Sequence, residues 1–407
     1  MDLTAFLTGA FLLLSALGLD TVMHPRDIVL EAHKASQLGQ VHLTDTMLNA
    51  VMKAQVEEIF LTKSVVTKPT IRLSKQKGIG VTITDSIGLS AVASALQEQM
   101  GYRPDRIELH VFTENETTKV LVSGYHATGG GTFEQEVVQV KEERIVSLVQ
   151  RATVVAMATI DPYVTALNLM RQHIKDRDFS QSEDVIAFAK ARLRPTQENA
   201  DRAMLENLEG MIALFRRDTA RALERFQVAV ASGPGNHVAK LNLALVLLEK
   251  DQDARSAAMM ADLLRDNPPL DPVLLSTVHM TQAAAYLGLR QPAPADAAMA
   301  RAAALNPTSP TILSAWAEVK TQMGDKAAAE DLHRRALSAD NSFDDYAEVA
   351  ALYFTLAWQK GKPVLRSPYG NNETSPDTAD KTAPTAPETA TKTEPAKEPA
   401  PEVPTAR

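Results

Sequence analysis

The chain has 407 residues, of which 45% are hydrophobic, with a formal net charge of -8 and no cysteine. This length is enough for roughly two or three domains, and the hydrophobic fraction is enough for buried cores. The missing cysteine excludes structural disulfides, thiolate metal sites and a cysteine nucleophile. The negative net charge provides no field that would attract nucleic acid, so no nucleic-acid partner is expected.

The N-terminal segment, residues 1–22, is predicted to be a membrane anchor. Residues 3–19 carry no charge and are rich in Leu and Phe, and a spanning helix needs about 17 to 25 apolar residues. Arg26 and Lys34 follow, which weakly favours a single-pass protein of a bacterial cytoplasmic (inner) membrane with its bulk on the cytoplasmic side. Two alternatives stay open: a cleaved signal peptide, for which a preceding Lys or Arg is missing, and a packed helix of a soluble protein.

Residues 23–64 are predicted to form a helical connector, with Asp27–Glu58 as its helical part. Thr44 is a suitable N-cap residue. Met47 and Val51 then recur at the spacing of one helix face.

Residues 65–160 are predicted to form a small α+β module with a three-stranded antiparallel sheet. Three runs have strand character and are joined by turn-forming residues, and one amphipathic helix lies on either side of them. The predicted strands are Arg106–Phe112, Thr118–His126 and Thr132–Val140, and the predicted helices are Ser86–Met100 and Arg144–Ile160.

Residues 161–360 are predicted to form a helical solenoid. Asp161 followed by Pro162 is typical of a helix start, with an N-cap and a proline at the first position. Two helices then run to about Arg194 and are interpreted as a degenerate first hairpin, since terminal repeats have one face without a neighbour.

One unit recurs four times within this solenoid at a constant spacing, apart from one displacement at Asp271–Leu275. Each unit has two small residues, then a larger residue, then a position that is small in three of the four units, and finally a Pro or Asn. The landmarks are Gly210, Ala222, Phe226, Ala229 and Pro234 in residues 203–236; Ala244, Ser256, Met260, Leu263 and Pro268 in 237–270; Ala283, Ala295, Met299, Ala302 and Pro307 in 276–309; and Ala317, Ala329, His333, Ala336 and Asn341 in 310–343.

This pattern, with its period of about 34 residues, resembles the tetratricopeptide repeat, although the large aromatic that the family carries near the start of the first helix is missing. The resemblance covers about a third of the chain. It implies a mainly α fold in which two antiparallel helices cross at the small residues, the large residue fills the gap between units, and the proline ends the second helix.

The resemblance also implies that the first helices of successive units line a concave groove that binds protein partners. Carried over by repeat position, the groove candidates are apolar or uncharged apart from one carboxylate. They are Asn207, Met211, Phe215, Leu241, Asn242, Leu245, Met280, Ala284, Ser314 and Glu318. The expected partner is an apolar helix or extended segment. Coverage of the groove by the chain's own helices, or self-association, is the alternative.

Two segments are predicted to follow the repeats. Residues 344–359 are interpreted as a helix that covers the last unit. Residues 361–407 consist largely of Pro, Thr, Ala, Glu and Lys and are predicted to be a disordered tail, since they cannot bury enough apolar surface to offset the entropy of ordering.

No catalytic, cofactor or metal constellation is predicted. Ser74 to Lys77 fits a serine–lysine spacing without its companion motifs. His110 and His126 are interpreted as lying on one sheet face with Glu108. The sequence therefore favours a membrane-anchored, non-enzymatic scaffold for protein–protein interaction. Two alternatives remain: an enzyme or ligand-binding activity in residues 65–160 with the repeats as a targeting device, and a soluble assembly factor.

Overall fold

The structure is a computed structural model, and it describes most of the chain between residues 26 and 366. The described residues are 26–35, 44–62, 64, 71–73, 105–126, 131–193, 199–266, 270–338, 349, 355–359 and 362–366. The apolar segment 3–19, the predicted helix Ser86–Met100, the Ser74–Lys77 motif and residues 367–407 lie outside them. Among the described residues, no helix is both long enough and apolar enough to span a bilayer.

A five-stranded mixed sheet forms the N-terminal part, with the order β2-β1-β3-β4-β5. Strand β1 pairs in parallel with β2 and β3, while β3, β4 and β5 form an antiparallel meander. The strands are β1 Arg26–Lys34, β2 Ile71–Leu73, β3 Asp105–Glu114, β4 Thr117–His126 and β5 Gly131–Val138.

This sheet corrects two predictions. The three predicted antiparallel strands are present as β3 to β5, but the prediction of a three-stranded antiparallel sheet was wrong because β1 and β2 extend it in parallel. The predicted helix over Asp27–Glu58 was wrong in its first part, where β1 lies. Ile28 and Ala32 are buried on one side of β1, and this strand period was hidden by the helical pattern that follows it.

Helices α1 Asp45–Phe60 and α2 Ile145–Ile160 cover one face of the sheet. Thr44 caps α1 as predicted, because its hydroxyl accepts a hydrogen bond of 3.2 Å from the Met47 amide. Helix α1 packs on β1, and α2 packs on β3, β4 and β5. Alternating apolar residues of the strands, among them Leu109 and Val122, are fully buried beneath the two helices.

Five helical hairpins follow the sheet in the described part of the chain and make it mainly α-helical, with the architecture of a tetratricopeptide-type α-solenoid. The hairpins are α3 Pro162–Gln172 with α4 Ser180–Arg192, α5 Ala200–Phe215 with α6 Thr219–Ser232, α7 His237–Glu249 with α8 Asp253–Arg265, α9 Pro272–Gly288 with α10 Pro292–Leu305, and α11 Pro310–Gln322 with α12 Lys326–Ser338. In each pair we call the two members the first and the second helix.

The turn inside the hairpins recurs with the sequence period. Arg217, Asp251, Arg290 and Gly324 all have a positive φ, and each stands at the same place in its repeat. After the first helix of each of these hairpins, one amide bonds back five residues, as in Asp218 N–H to Ala213 C=O at 2.9 Å. This is the Schellman geometry that satisfies the last helical carbonyls. The displacement at Asp271–Leu275 lengthens only the interval from Asp251 to Arg290.

The small landmarks lie where the helices of a hairpin cross. An added Cβ on Gly210 would overlap the ring of Phe226 on the neighbouring helix. Ala222 and Ala229 are fully buried. In the last helical hairpin, His333 occupies the position of the large landmark and is exposed. No further helical hairpin stacks on this last one within the described chain. The interpretation of the small landmarks is therefore confirmed for the crossing at Gly210.

A short β-hairpin follows the helices, formed by β6 Thr355–Gln359 and β7 Lys362–Arg366. This corrects two predictions: residues 355–359 are a strand and not the end of a covering helix, and residues 362–366 form a strand and are not part of a disordered tail. The periodicity of a short apolar run does not distinguish a helix from a strand. These two segments are strands because they pair with each other. Strand β7 lies against α7 and α9, and β6 lies against α11.

Candidate functional site: the surface of the first helices

The first-helix surface, which we define as the faces of α5, α7, α9 and α11 turned away from the second helices, corresponds to the predicted groove. Helix α5 contacts α7, and α7 contacts α9, so these three first helices form a continuous row. The surface is therefore built from segments that lie far apart in sequence and are brought together by the stacking of hairpins.

Burial differs sharply between the two helices of a hairpin. Ten of the 13 residues of α7 are buried, all of them within Val238–Leu248. Only four of the 13 residues of α8 are buried, and they lie on one stripe. A helix that is apolar all round is covered on every side. The face of α7 that points away from α8 is therefore covered as well.

Three predicted groove residues meet between α5 and α7. The side-chain amide of Asn242 donates a hydrogen bond of 2.9 Å to Asn207 Oδ1 and lies 3.7 Å from Met211 Sδ. All three side chains are fully buried. This amide contact is a buried polar contact between α5 and α7, and it favours the alignment of the two helices that preserves it, since a buried amide without partners would be costly.

Apart from Asn242, the predicted residues of α7 and α9 are apolar and buried. Leu241, Leu245, Met280 and Ala284 all belong to the continuous hydrophobic core. In α9 the hydroxyl of Thr281 donates to the Thr277 carbonyl at 2.8 Å. That hydroxyl is therefore satisfied within its own helix.

Phe215 does not join the other candidates. Its ring packs against Phe179, with 5.9 Å between the ring centroids, and Phe179 directly precedes α4. Phe215 is therefore part of the packing between the first two hairpins, where repeat position alone predicted a groove residue.

The accessible part of the surface lies on α11. Ser314 is exposed and Glu318 is half-buried. On another side of α11, Trp316 Nε1 donates to Asp296 Oδ1 at 2.7 Å and the Lys320 ammonium lies 2.7 Å from the same oxygen. These contacts hold α11 against α10 and leave Ser314 and Glu318 available.

A buried charge network next to α5 was missed by sequence reasoning. The Glu206 carboxylate is almost fully buried and accepts from Lys190 at 2.6 Å and from Arg225 at 3.2 Å. These residues come from three helices of two hairpins, so no local spacing could reveal the network. It links α4, α5 and α6, and a buried carboxylate requires such partners.

The sheet carries a second cluster, at one end of β3 and β4. His126 Nδ1 lies 3.0 Å from Asp105 Oδ1, and the Asp105 side chain is almost fully buried. Burial raises the pKa of Asp161, and the charge of Asp105 raises it further, while His126 lowers it. Among the described residues no group of three or more His, Cys, Asp or Glu side chains is arranged to hold a metal ion.

The interpretation that His110 and His126 share one sheet face was wrong. His110 pairs with Leu121 and Arg106 pairs with Tyr125, so the odd positions of β4 share the face of His110 and the even position 126 lies on the other. His110 instead stacks on His33 of β1, with ring centroids 5.4 Å apart. The parallel pairing of β1 and β3 creates this contact.

Comparison with known proteins adds little beyond the fold. No family model matches the chain, and no curated protein matches it. Among solved structures, one titled "Functional Characterization of Pseudomonas Aeruginosa pilF" is 14% identical, with a TM-score of 0.38, and the match covers 46% of this chain and 80% of that one.

Structures of MamA give similar values. The structure titled "MamA 41-end from Desulfovibrio magneticus RS-1" is 17% identical with a TM-score of 0.35, covering 46% of this chain and 98% of that one. A structure of MamA from AMB-1 is 18% identical with a TM-score of 0.32, and the match covers 44% of this chain and 99% of that one. Likenesses this low give no information on activity or partners, and the solenoid assignment rests on the hairpins described above.

Proposed function

We propose that this protein is a scaffold that binds another protein through the first-helix surface. The observation that carries the proposal is the all-round burial of α7 and α9, because side chains that are buried away from their own hairpin partner form a surface that polypeptide covers. An apolar helix or extended segment fits such a surface, with α11 as its accessible end.

The test uses crosslinking from two positions of the same hairpin. A photoreactive residue in place of Ser314 on α11 should capture a partner in intact cells, and one in place of Glu330 on α12 should not, because Glu330 is exposed on the second helix. Equal capture from both positions would contradict a role for the first-helix surface.

A charge reversal then provides a matched pair of variants. Glu318→Arg should abolish or strongly reduce the captured product, whereas Glu330→Arg makes the same change on the second helix and should leave it unchanged. Circular dichroism of both purified variants shows whether the fold is retained. Unchanged capture by Glu318→Arg would argue against the proposed surface.

Membrane attachment through residues 3–19 is a further part of the proposal, supported by their uncharged Leu- and Phe-rich composition. Fractionation followed by high-salt or carbonate washing tests it. An anchored protein stays in the membrane pellet, and release into the wash would contradict an anchor.

A second candidate function, ligand binding or catalysis by the sheet, has one observation in its favour. Asp105 and His126 meet at one end of β3 and β4, and both act electrostatically on the Asp161 carboxyl, whose pKa is raised mainly by burial. Titratable groups with shifted pKa values concentrate at functional sites. Thermal-shift screening of small metabolites against the protein and against His126→Gln tests this: a ligand whose stabilisation is lost in the variant would support it.

A further inference from the structure

The β-hairpin of β6 and β7 lies on the helices that form the first-helix surface. Strand β7 contacts α7 and α9, and β6 contacts α11. All three are first helices of successive hairpins. The chain therefore places its own short segment along the surface for which a partner is proposed.

The register gives this β-hairpin two different faces. Leu356 pairs with Leu365 and Trp358 pairs with Pro363, so these four apolar residues share one face of the two-stranded ribbon. The other face is made mainly of polar and charged positions. Its members are Thr355, Ala357, Gln359, Lys362, Val364 and Arg366.

An isolated β-hairpin is at best marginally stable in water and needs a packing partner. In the sequence only Lys360 and Gly361 stand between the two strands, and a glycine in such a connection favours a tight hairpin. The hairpin is thus amphipathic, and α7 and α9 supply a buried apolar surface beside it.

We propose that the β-hairpin of β6 and β7 is an intramolecular occupant of the first-helix surface, and that a protein partner binds by displacing it. The register assigns Leu356, Trp358, Pro363 and Leu365 to one face of the ribbon, and the tests below compare that face with the opposite one. The part of this inference that concerns a competing partner rests on the proposed function. The docking of the β-hairpin is independent of that function.

Displacement has a quantitative consequence. A surface that is open in a fraction f of molecules binds its partner with an apparent Kd equal to the intrinsic Kd divided by f. If the hairpin leaves the surface in about 1% of molecules, the partner binds about 100-fold more weakly than it would to an open surface. Weakening the hairpin should therefore tighten partner binding.

The first test follows the hairpin by fluorescence of the full chain. The protein has two tryptophans, so Trp316→Phe leaves Trp358 as the single emitter. Docking of the apolar face predicts blue-shifted emission that acrylamide quenches poorly. Leu245→Glu, on α7, should shift the emission to the red and increase quenching. Trp358 emission that is already red and fully quenched without that substitution would overturn the proposal.

The second test compares the two faces of the ribbon. Leu356→Asp with Leu365→Asp should release the hairpin, whereas Ala357→Asp with Val364→Asp puts the same two charges at paired positions on the opposite face. Because the chain lacks cysteine, a thiol introduced by Ala284→Cys on α9 reports exposure of the surface. Its labelling should accelerate by about tenfold or more in the first variant, since a tenfold change corresponds to ~1.4 kcal/mol of opening free energy, and much less in the second.

A thiol introduced by Ala283→Cys controls for unfolding. Ala283 is a fully buried small landmark next to Ala284, and it should stay protected in both variants. Faster labelling at both positions would indicate general loosening of the fold. In that case the Trp358 fluorescence measurement decides whether the β-hairpin is docked. Equal labelling of Ala284→Cys in the two double variants would overturn the proposal.

The outcomes separate the two proposals. A protected Trp358 without any crosslinked partner at Ser314 would refute the scaffold function and leave the docked hairpin intact. A crosslinked partner together with a solvent-exposed Trp358 would refute the docked hairpin alone. If both hold, Leu356→Asp with Leu365→Asp should increase partner capture, and Ala357→Asp with Val364→Asp should not.

Discussion

The first and second helices of the hairpins differ in how much of their circumference is buried, although they alternate in one array and have similar lengths. Helix α9 buries 12 of its 17 residues, whereas its partner α10 buries five of 14. Stacking accounts for part of this difference, because α7 and α9 each contact two second helices and at least one neighbouring first helix, whereas the contacts of α8 and α10 are with two first helices each. The first helices α7, α9 and α11 also contact the β-hairpin of β6 and β7, and theirs is the surface for which we propose a protein partner.

The largest expected effect tests whether the outer surface of the first helices is core. Leu245→Ala on α7 should lower the free energy of unfolding by about 2 to 5 kcal/mol, because it removes fully buried methyl groups and leaves a cavity. Leu337→Ala makes the same change on α12, where Leu337 is 90% exposed, and should stay within about 0.5 kcal/mol of the parent. Urea denaturation of both variants measures this, and equal effects would remove the distinction between the helices.

A second prediction tests the crossing of first and second helices. Gly210→Ala should destabilise the protein by about 1 to 3 kcal/mol, because the new methyl group overlaps the ring of Phe226. Gly235→Ala is the control, since nothing lies within 4 Å of a Cβ built there. A neutral Gly210→Ala, measured by thermal unfolding, would show that the crossing is looser than described.

A third prediction concerns the N-terminus of the first helix α3, where burial changes the pKa of the Asp161 carboxyl. Asp161 caps α3 by accepting from the Val164 amide at 3.1 Å, and burial raises the pKa of its carboxyl. The folded state therefore holds this proton more tightly than the unfolded state. The contribution of Asp161 to stability is largest below its ordinary pKa and falls as the pH rises through its folded pKa.

Asp161→Asn keeps the cap oxygen and removes the charge, so it should match the parent at low pH and become the more stable protein as the pH approaches neutrality. Denaturation curves at a series of pH values give the difference directly. A difference that does not change with pH would mean that Asp161 is not desolvated in the folded protein.

The smallest effect concerns the turn between the two helices. Arg290 has a φ of 59° at the position where the next hairpin has Gly324 with a φ of 82°. Arg290→Gly should stabilise the protein by about 0.5 kcal/mol, because glycine adopts this conformation without a steric cost but loses more entropy on folding. Gly324→Ala should act in the opposite direction, by about 1 kcal/mol. Thermal unfolding of the two variants compares them, and the same sign for both would contradict a shared turn geometry.

Local contacts explain which parts of the fold could be predicted from the sequence. Gly210 and Phe226 belong to the two helices of one hairpin and meet at their crossing, and the turns at Arg217 and Asp251 recur with the period of the sequence. Each of these features depends on neighbours in the same or the next repeat. Repeat register, hairpin boundaries and helix caps therefore follow from spacing.

Pairing between segments that lie far apart in sequence explains which predictions were wrong. Strand β1 lies between β2 and β3, both of which come much later in the chain, and its pattern alone did not distinguish a strand from a helix. The face of His126 depends on the register with β3. The β-hairpin at Leu356 and Leu365 is defined by mutual pairing and by the helices beneath it. Sequence spacing carries none of this information.

The repeating unit, the crossing residues and the apolar character of the first helices could be deduced from the sequence alone, because residues close together in the chain set them. The folded structure was needed to show that most of the predicted groove residues are buried, that Phe215 packs between hairpins and that β6 and β7 contact first helices. Burial is a property of everything that packs on a residue, and strand β7, which contacts α7 and α9, comes from a part of the chain several helices beyond them.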